Sequence, residues 1–424
     1  MRCRSAGAVQ RLAGWFAAMI GDLPSVIWQR NDDGEFIVAG KPLSEIVAAV
    51  GSTPCYLYDR GRIQQRISAL RAQLPEAVQL HYAVKANPMP ALVCRMAALV
   101  DGLDVASAGE LRIALDSGMD PARISFAGPG KSDAELAQAH AAGILVNVES
   151  FREINVLVRA SERTGTAARV AVRVNLPFEL RASGMKMSGG ARPFGIDAER
   201  VPEMLGRIRD SGLAFEGFHL FAGSQNLHAE AIIEAQTRSY ELALGLIEHC
   251  PQPPRLLNLG GGFGIPYTLR DTALDVHAVC DNLATLAARA RRDMPGARLA
   301  IELGRYLVGE AGIYVARVIE RKISHEQVFL IVDGGMHHHL AASGNLGQVM
   351  RRNYPVAVNR LGADKEIASI SGPLCTPLDL LADRAELDVA EAGDLVVVFQ
   401  SGAYGRSASP RGFLSHPDVI EALV

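Results

Sequence analysis

Between Gln79 and Pro90 the chain reads QLHYAVKANPMP. Strand-forming Leu80, Tyr82 and Val84 deliver one lysine, Lys85, and the run stops at once in Ala-Asn-Pro. Proline has no N–H and pushes the residue before it out of the helical region, so the strand ends there. An ammonium at the end of a buried strand is costly unless something there uses it. Lys85 therefore either snorkels to solvent or serves as a desolvated amine that forms a Schiff base.

A second element, LGGGFGIPY at Leu259–Tyr267, follows another predicted strand. The glycines Gly260, Gly261 and Gly262 let backbone N–H groups approach a phosphate with no side chain in the way. Alone, such a triplet reads equally well as a flexible turn. GSQ at Gly223–Gln225 offers the Ser224 hydroxyl to the same anion. ELGR sets Glu302 and Arg305 three residues apart, which is a structural ion pair unless a ligand lies between them. Amine, phosphate cradle and carboxylate together suit pyridoxal phosphate. In that reading Lys85 holds the aldehyde, the glycines hold the phosphate, and Glu302 keeps the pyridine nitrogen protonated. A protonated ring is a strong electron sink and stabilises the carbanion left by loss of carbon dioxide. Glutamate at this position favours decarboxylation over racemisation.

The elements that must position these groups alternate. Candidate strands are Gln79–Lys85, Gly102–Ser107, Arg123–Gly128, Gly143–Val148, Val170–Asn175, Phe215–Phe221, Arg255–Gly260 and Ala297–Leu303, with amphipathic stretches between them. Strand–helix alternation implies parallel strands, and eight such units close into a (β/α)8 barrel; a doubly wound open sheet is the competing architecture. Ligands bind such barrels at the C-terminal strand ends. Those ends carry Lys85, the Ser107–Glu110 turn, Gly128, Asn147, Arg173 with Asn175, His219 to Gln225, the glycine triplet, and Glu302 to Arg305. Beyond Arg305 the texture turns to short strands with little helix. Val26–Gly40 carries a hairpin signature, with Asp-Asp-Gly between apolar runs. The expected organisation is an N-terminal segment 1–57 that joins the β domain, a cofactor-binding barrel 58–305, and a C-terminal β domain 306–424, built as a sandwich or barrel.

At 424 residues the chain is long enough for two domains. Forty-three Lys and Arg stand against 46 Asp and Glu, which gives no reason to expect nucleic acid as a partner. Six scattered cysteines with no CxxC pair fit a reducing, cytoplasmic location better than disulfides or zinc. No apolar run reaches the roughly 18 residues that span a bilayer. Arg2, Arg4 and Arg11 precede the apolar LAGWFAAMIG, in the manner of a signal peptide. The patch is short and no small-residue cleavage site follows. An upstream start codon, with Met19 as the alternative initiator, is preferred to export, and an amphipathic first helix is a third reading.

YAVKAN, DVASAGE, HLFAGSQ, LGGGFGIPY, ELGR, SGPLCTPLD and SGAYG occur in the order shown by the fold-type III pyridoxal-phosphate decarboxylases. From about Thr53 onward the chain resembles their diaminopimelate/ornithine decarboxylase group. That resemblance implies an alanine-racemase-like barrel, a β domain, and a head-to-tail homodimer with shared active sites. It implies Lys85 as the Schiff-base lysine, Gly260 to Gly262 with Ser224 and Arg305 as the phosphate site, and Glu302 as the ring partner. Tyr404 reaches the cofactor, Cys375 of the other subunit reprotonates the carbanion, and Asp104, Glu110 and Arg173 supply polar support. Phe221 stands where the family has a histidine stacked on the ring, which leaves open whether His219 substitutes.

Two further departures bear on substrate. Thr376 follows Cys375 where diaminopimelate decarboxylases carry an acid, and Ala341 stands where they carry an arginine. Both argue against diaminopimelate. GMKMSGG, GGMHHHLAASGN, RRNYPV, GPLCTPLDLL and ASPRGFLSHP resemble the exosortase A system-associated subgroup, linked to exopolysaccharide gene clusters, and also decarboxylases of carrier-protein-tethered acyl units. Asp379 and His339, with Thr376, are assigned to the substrate side, with a turn role for Asp379 equally open. Three consecutive histidines, His337 to His339, cannot all face one ion from a strand, so no metal is expected. The expected function is α-decarboxylation of an amino acid or aminoacyl substrate. Diaminopimelate decarboxylation proper, an amino-acid racemase and a non-catalytic cofactor carrier on the same scaffold are the alternatives.

Overall fold

The computed structural model describes residues 28–180, 184–268, 270–346, 348, 351–362 and 364–424; the apolar stretch near the N-terminus lies outside them. After β1 (Cys55–Tyr58) come eight strands: β2 (Val78–Ala83), β3 (Gly102–Val105), β4 (Ile124–Phe126), β5 (Leu145–Val148), β6 (Arg169–Asn175), β7 (Ala214–His219), β8 (Leu256–Gly261) and β9 (Arg298–Leu303). All eight pair in parallel in sequence order, and β9 returns to β2, so the sheet closes. Helices link the successive strands, and several begin where the sequence supplies a cap. Ser107, Ser132, Ser150 and Asp275 each accept a backbone N–H of the first turn, and Ser132 with Glu135 completes a capping box.

Leu145, Ala171, Leu256 and Ala300 form a buried cluster of their own. They come from two pairs of neighbouring strands, β5 with β6 and β8 with β9, and the two pairs meet inside the barrel. Two residues further along those strands stand Asn147, Arg173, Asn258 and Glu302. Side chains alternate faces along a strand, so these four also point inward, one layer nearer the C-terminal mouth. Cross-strand register adds His219 beside Arg173 and Asn258, His81 beside Glu302, and Asp104 beside Ser125. Each strand thus contributes one buried polar side chain to the interior.

The second domain holds β10 (Gly312–Ser324), β11 (Gln327–Val332), β12 (Val356–Val358), β13 (Lys365–Ser371), β14 (Leu380–Asp388), β15 (Leu395–Val398) and β16 (Ile420–Leu423). β1 joins it, antiparallel to β10 and parallel to β16. The anticipated hairpin forms: Arg30 bridges Phe36 around a turn closed by Gly34 N–H to Asn31 O, with Gly34 at φ +83°. Trp28, Phe36, Val38 and Leu43 pack with Ile313, Val315, Val397 and Phe399, which seats the N-terminal segment on the β domain.

Candidate active site

The strand before Lys85 stops two residues earlier than the sequence suggested. Lys85 lies in a single 3-10 turn, Val84–Ala86, beyond the end of β2 at Ala83. Asn87 closes that turn through its N–H to Val84 O, and the Tyr82 hydroxyl donates to Asn87 O at 3.0 Å. The second domain holds the turn from the other side. Asn87 Nδ2 donates to Gly402 O at 3.0 Å, and Tyr404 N–H donates to Ala86 O at 2.8 Å. Tyr404 adopts φ +54°, a left-handed conformation unusual for a tyrosine, so the SGAYG loop is bent to make this contact.

Around Lys85, a small cavity is lined by Ala83, Phe221, Ser224, Gly262, Glu302, Arg305 and Tyr404, among others. The Lys85 ammonium lies 5.4 Å from the Phe221 ring centre. Burial disfavours its charge, but Glu302, Tyr404 and Asp104 outweigh that and hold Lys85 above its usual value. Glu302 is buried, which alone would raise its pKa. The His219 hydrogen bond, then Lys85 and Asp104, reverse this and hold the carboxyl well below the usual range. His219 Nε2 stands 2.9 Å from Glu302 Oε2, and Asn258 Nδ2 lies 3.4 Å from the same oxygen. Asp104 accepts the Ser125 hydroxyl at 2.6 Å. Burial and the Glu302 charge push Asp104 well above the carboxylate range.

The phosphate side divides the predicted residues. The Ser224 hydroxyl is buried with no protein partner, as a hydroxyl waiting for an anion would be. Gly262 lines the cavity, and a Cβ there would fall 2.3 Å from Gly223 O. Gly260 and Gly261 do other work. A Cβ on Gly260 would meet Leu220 O at 2.8 Å and one on Gly261 would meet Glu302 O at 1.9 Å, so both glycines serve close chain packing. The Gly260 N–H is already given to Asn258 Oδ1 at 2.8 Å, which corrects its assignment to the phosphate. Arg305 donates to the Tyr267 hydroxyl at 2.5 Å and lies 4.7 Å from the Tyr404 ring centre. An orphaned hydroxyl, a glycine wall, an arginine, a lysine and an anionic carboxylate around one cavity fit a phosphorylated pyridine aldehyde.

Arg173 sits in a buried network that the sequence did not reveal. Its guanidinium donates to Glu149 Oε1 at 2.8 Å, and Glu149 also accepts the N–H groups of Gly128 and Gly195. Lys131 balances the charge, 3.1 Å from Glu153 and 3.8 Å from Glu149. Of the inward ring, His81, Ser125 and Asn258 were also missed. Extending the two-residue alternation downward from each polar strand end would have found Asn258 and His81.

The residues assigned to the substrate side are not at this cavity. Cys375 is exposed and Thr376 half-buried, on the loop between β13 and β14, and neither lines it. Asp379 is buried, and its two oxygens accept Met336 N–H at 2.6 Å and Leu374 N–H at 2.8 Å. It clamps the cysteine loop to the Gly335 loop, so its carboxylate is occupied within the protein. His339 is wholly buried, with Nε2 2.9 Å from the Ser401 hydroxyl and Nδ1 accepting Ala342 N–H at 3.2 Å. Both ring nitrogens are used, which corrects the expectation of a substrate contact. Among the described residues no group of His, Cys, Asp or Glu is arranged to hold a metal ion, and no helix is long and apolar enough to cross a membrane.

A closed parallel barrel with a lysine, an anion pocket and a buried carboxylate at its mouth defines a class of cofactor-dependent enzyme. Residues 60–309 match the family model described as the pyridoxal-binding domain of pyridoxal-dependent decarboxylases. The chain is 38% identical over 379 residues to L-glutamyl-[BtrI acyl-carrier protein] decarboxylase of Niallia circulans, covering 88% of each. It is 33% identical to diaminopimelate decarboxylase of Aquifex aeolicus, covering 92% of this chain and 91% of that one. Diaminopimelate decarboxylase of Helicobacter pylori, solved with L-lysine, superposes with a TM-score of 0.80 at 27% identity, over 90% of this chain and 94% of that one. The chain belongs to the pyridoxal-dependent decarboxylases: it is an amino-acid carboxy-lyase, and its cofactor is pyridoxal phosphate.

Proposed function

We propose that Lys85 is the lysine that binds the cofactor aldehyde, with Ser224, Gly262 and Arg305 on the phosphate, Glu302 on the ring nitrogen and Tyr404 closing the mouth. The observation that carries this is their meeting around one cavity. When bound, pyridoxal phosphate supplies an electron sink for the carbanion that loss of carbon dioxide leaves. Phe221 packs beside Lys85 and excludes water. Arg173, pinned by Glu149, contributes fixed positive charge at the mouth.

Cys375 is exposed on a clamped loop and does not line this cavity, which supports a role as proton donor to the site of a second copy. The active form is then a homodimer with shared sites. In this reading the β domain begins at Tyr306, residues 1–57 accompany it, and residues 58–305 make up the barrel.

The substrate is an amino acid or aminoacyl group, and a carrier-tethered acyl unit is favoured over free diaminopimelate. Thr376 and the buried Ala341 offer neither charge that a distal ammonium and carboxylate would need. The motifs around the histidine triplet support a place in the exosortase-associated subgroup, working in the cytoplasm. Glu302 speaks against the racemase reading. Borohydride should fix the cofactor to Lys85, and carbon dioxide release should be measured on free and carrier-tethered amino acids. Release from diaminopimelate alone would defeat the substrate assignment, and stereochemical scrambling without release would favour the racemase.

A further inference from the structure

The carboxylate that the cofactor ring would meet, Glu302, is one of eight buried polar side chains that the barrel strands send inward. We propose that His219 is a positioning residue that, with Asp104, fixes Glu302 as the ionised member of a pair of carboxyls sharing one proton. This role rests on the function proposed above and names how its ring partner is held.

Asp104 and Glu302 stand on β3 and β9, the two strands that flank β2, both almost fully buried inside the barrel, and each acts on the other's titration. Two carboxyls so close in such a place do not both ionise, and one proton is shared. The surroundings decide which group keeps it. Glu302 Oε2 faces two N–H donors, His219 Nε2 at 2.9 Å and Asn258 Nδ2 at 3.4 Å. Asp104 receives one O–H, from Ser125 at 2.6 Å. A carboxylate only accepts, so the proton of the His219 ring must sit on Nε2. The other nitrogen, Nδ1, is buried without a hydrogen-bond partner, so nothing competes for the opposite tautomer. Donors therefore favour the anion on Glu302, and Asp104 retains the proton. Phe221 at the cavity wall carries no proton, and although His81 stands beside Glu302 in register, it is His219 that lies within hydrogen-bond distance of the carboxylate. Were the proton to move to Glu302, a neutral acid would face the ring nitrogen and its protonation would be lost.

The test uses full-length protein reconstituted with pyridoxal phosphate labelled with 15N in the ring, whose chemical shift reports protonation. Wild type is expected to show a pyridinium. His219→Leu is expected to move the signal toward unprotonated pyridine and to weaken cofactor binding by roughly ten-fold or more, since a hydrogen bond to a buried charge is lost. His219→Gln, which returns an N–H donor, should recover most of both. A ring that stays fully protonated in His219→Leu overturns the proposal. Should that variant fail to fold, 15N-histidine spectra of wild type decide: a proton on Nδ1 of His219 in place of Nε2 overturns it equally. Borohydride separates the two levels. If no cofactor is fixed to Lys85, the proposed function itself falls; if it is fixed and the ring ignores His219, only the positioning role falls.

Discussion

The barrel mouth and the Cys375 loop are built in opposite ways. At the mouth the groups that would touch the cofactor are seated by their own chain: the Lys85 turn is closed by Asn87 and tied to Gly402 and Tyr404 of the second domain, and Glu302 is held by His219 and Asn258. At the loop, a thiol stands exposed on a backbone whose Leu374 N–H, with that of Met336, is held by the Asp379 carboxylate. In the proposed reading one region is the cofactor site of its own chain, and the other is the half-site offered to a second copy. Cofactor capture and substrate turnover should therefore fail separately when the two regions are broken.

The largest effect belongs to the mouth. Lys85→Ala should lower carbon dioxide release by about 10³-fold or more and abolish borohydride fixation of the cofactor. Turnover at the wild-type rate would end the reading of this cavity as the active site. Next, Cys375→Ala should cost about 10²-fold or more in turnover, the range for a lost general acid, while cofactor affinity in equilibrium dialysis stays put. Mixing Cys375→Ala with Lys85→Ala should restore part of the activity, because one hybrid site then has both groups. Absence of that recovery would show that the loop and the mouth do not meet across subunits.

A third effect separates the regions by pH. Burial pushes His81, in the barrel, down to about 4 and His339, in the β domain, down to about 3. Both are neutral in the folded protein and bind a proton more readily unfolded. Their contribution to stability is thus complete above about pH 6.5 and is lost as the pH falls toward 4. For His81 the loss is about 3 kcal/mol by pH 4. Denaturant midpoints measured from pH 7 to 4.5 should fall, and His81→Gln should flatten that slope. An unchanged slope would show that His81 is not buried as a neutral ring.

Much of the mouth was legible because strand ends announce themselves. The proline after Lys85, the glycines after β8 and the polar residues closing each strand mark a C-terminal face, and all eight strands lie where alternation put them. Less visible were contacts that join distant positions with no local signature. Glu149 reads as an ordinary acid ahead of a helix, yet it gathers Gly128, Arg173 and Gly195, because β5 lies between β4 and β6 and the loop after β6 folds back over their ends. The same holds for His339. Three histidines in a row suggest a surface for ligands, but the loop folds inward and packs its last ring on Tyr56, Tyr314 and Tyr354. Gly260 shows the converse. Its motif suggested a phosphate cradle, whereas its lack of a Cβ is needed against Leu220.

The smallest effect tests the loop without touching its thiol. Asp379→Ala removes the acceptor for Met336 and Leu374 N–H groups and leaves both buried donors unsatisfied, at about 1–3 kcal/mol each if nothing relaxes. The loop will relax, since Cys375 and Leu378 beside it already face solvent. Most of that cost should therefore appear as lost order in the loop, with only a small fall in melting temperature. Turnover should drop about ten-fold through misplacement of the thiol, a shift of an ångström being enough for an effect of that size or greater. Cofactor affinity should hold, because no bond at the mouth depends on Asp379. A variant that loses cofactor as readily as turnover would show the two regions to be one cooperative unit.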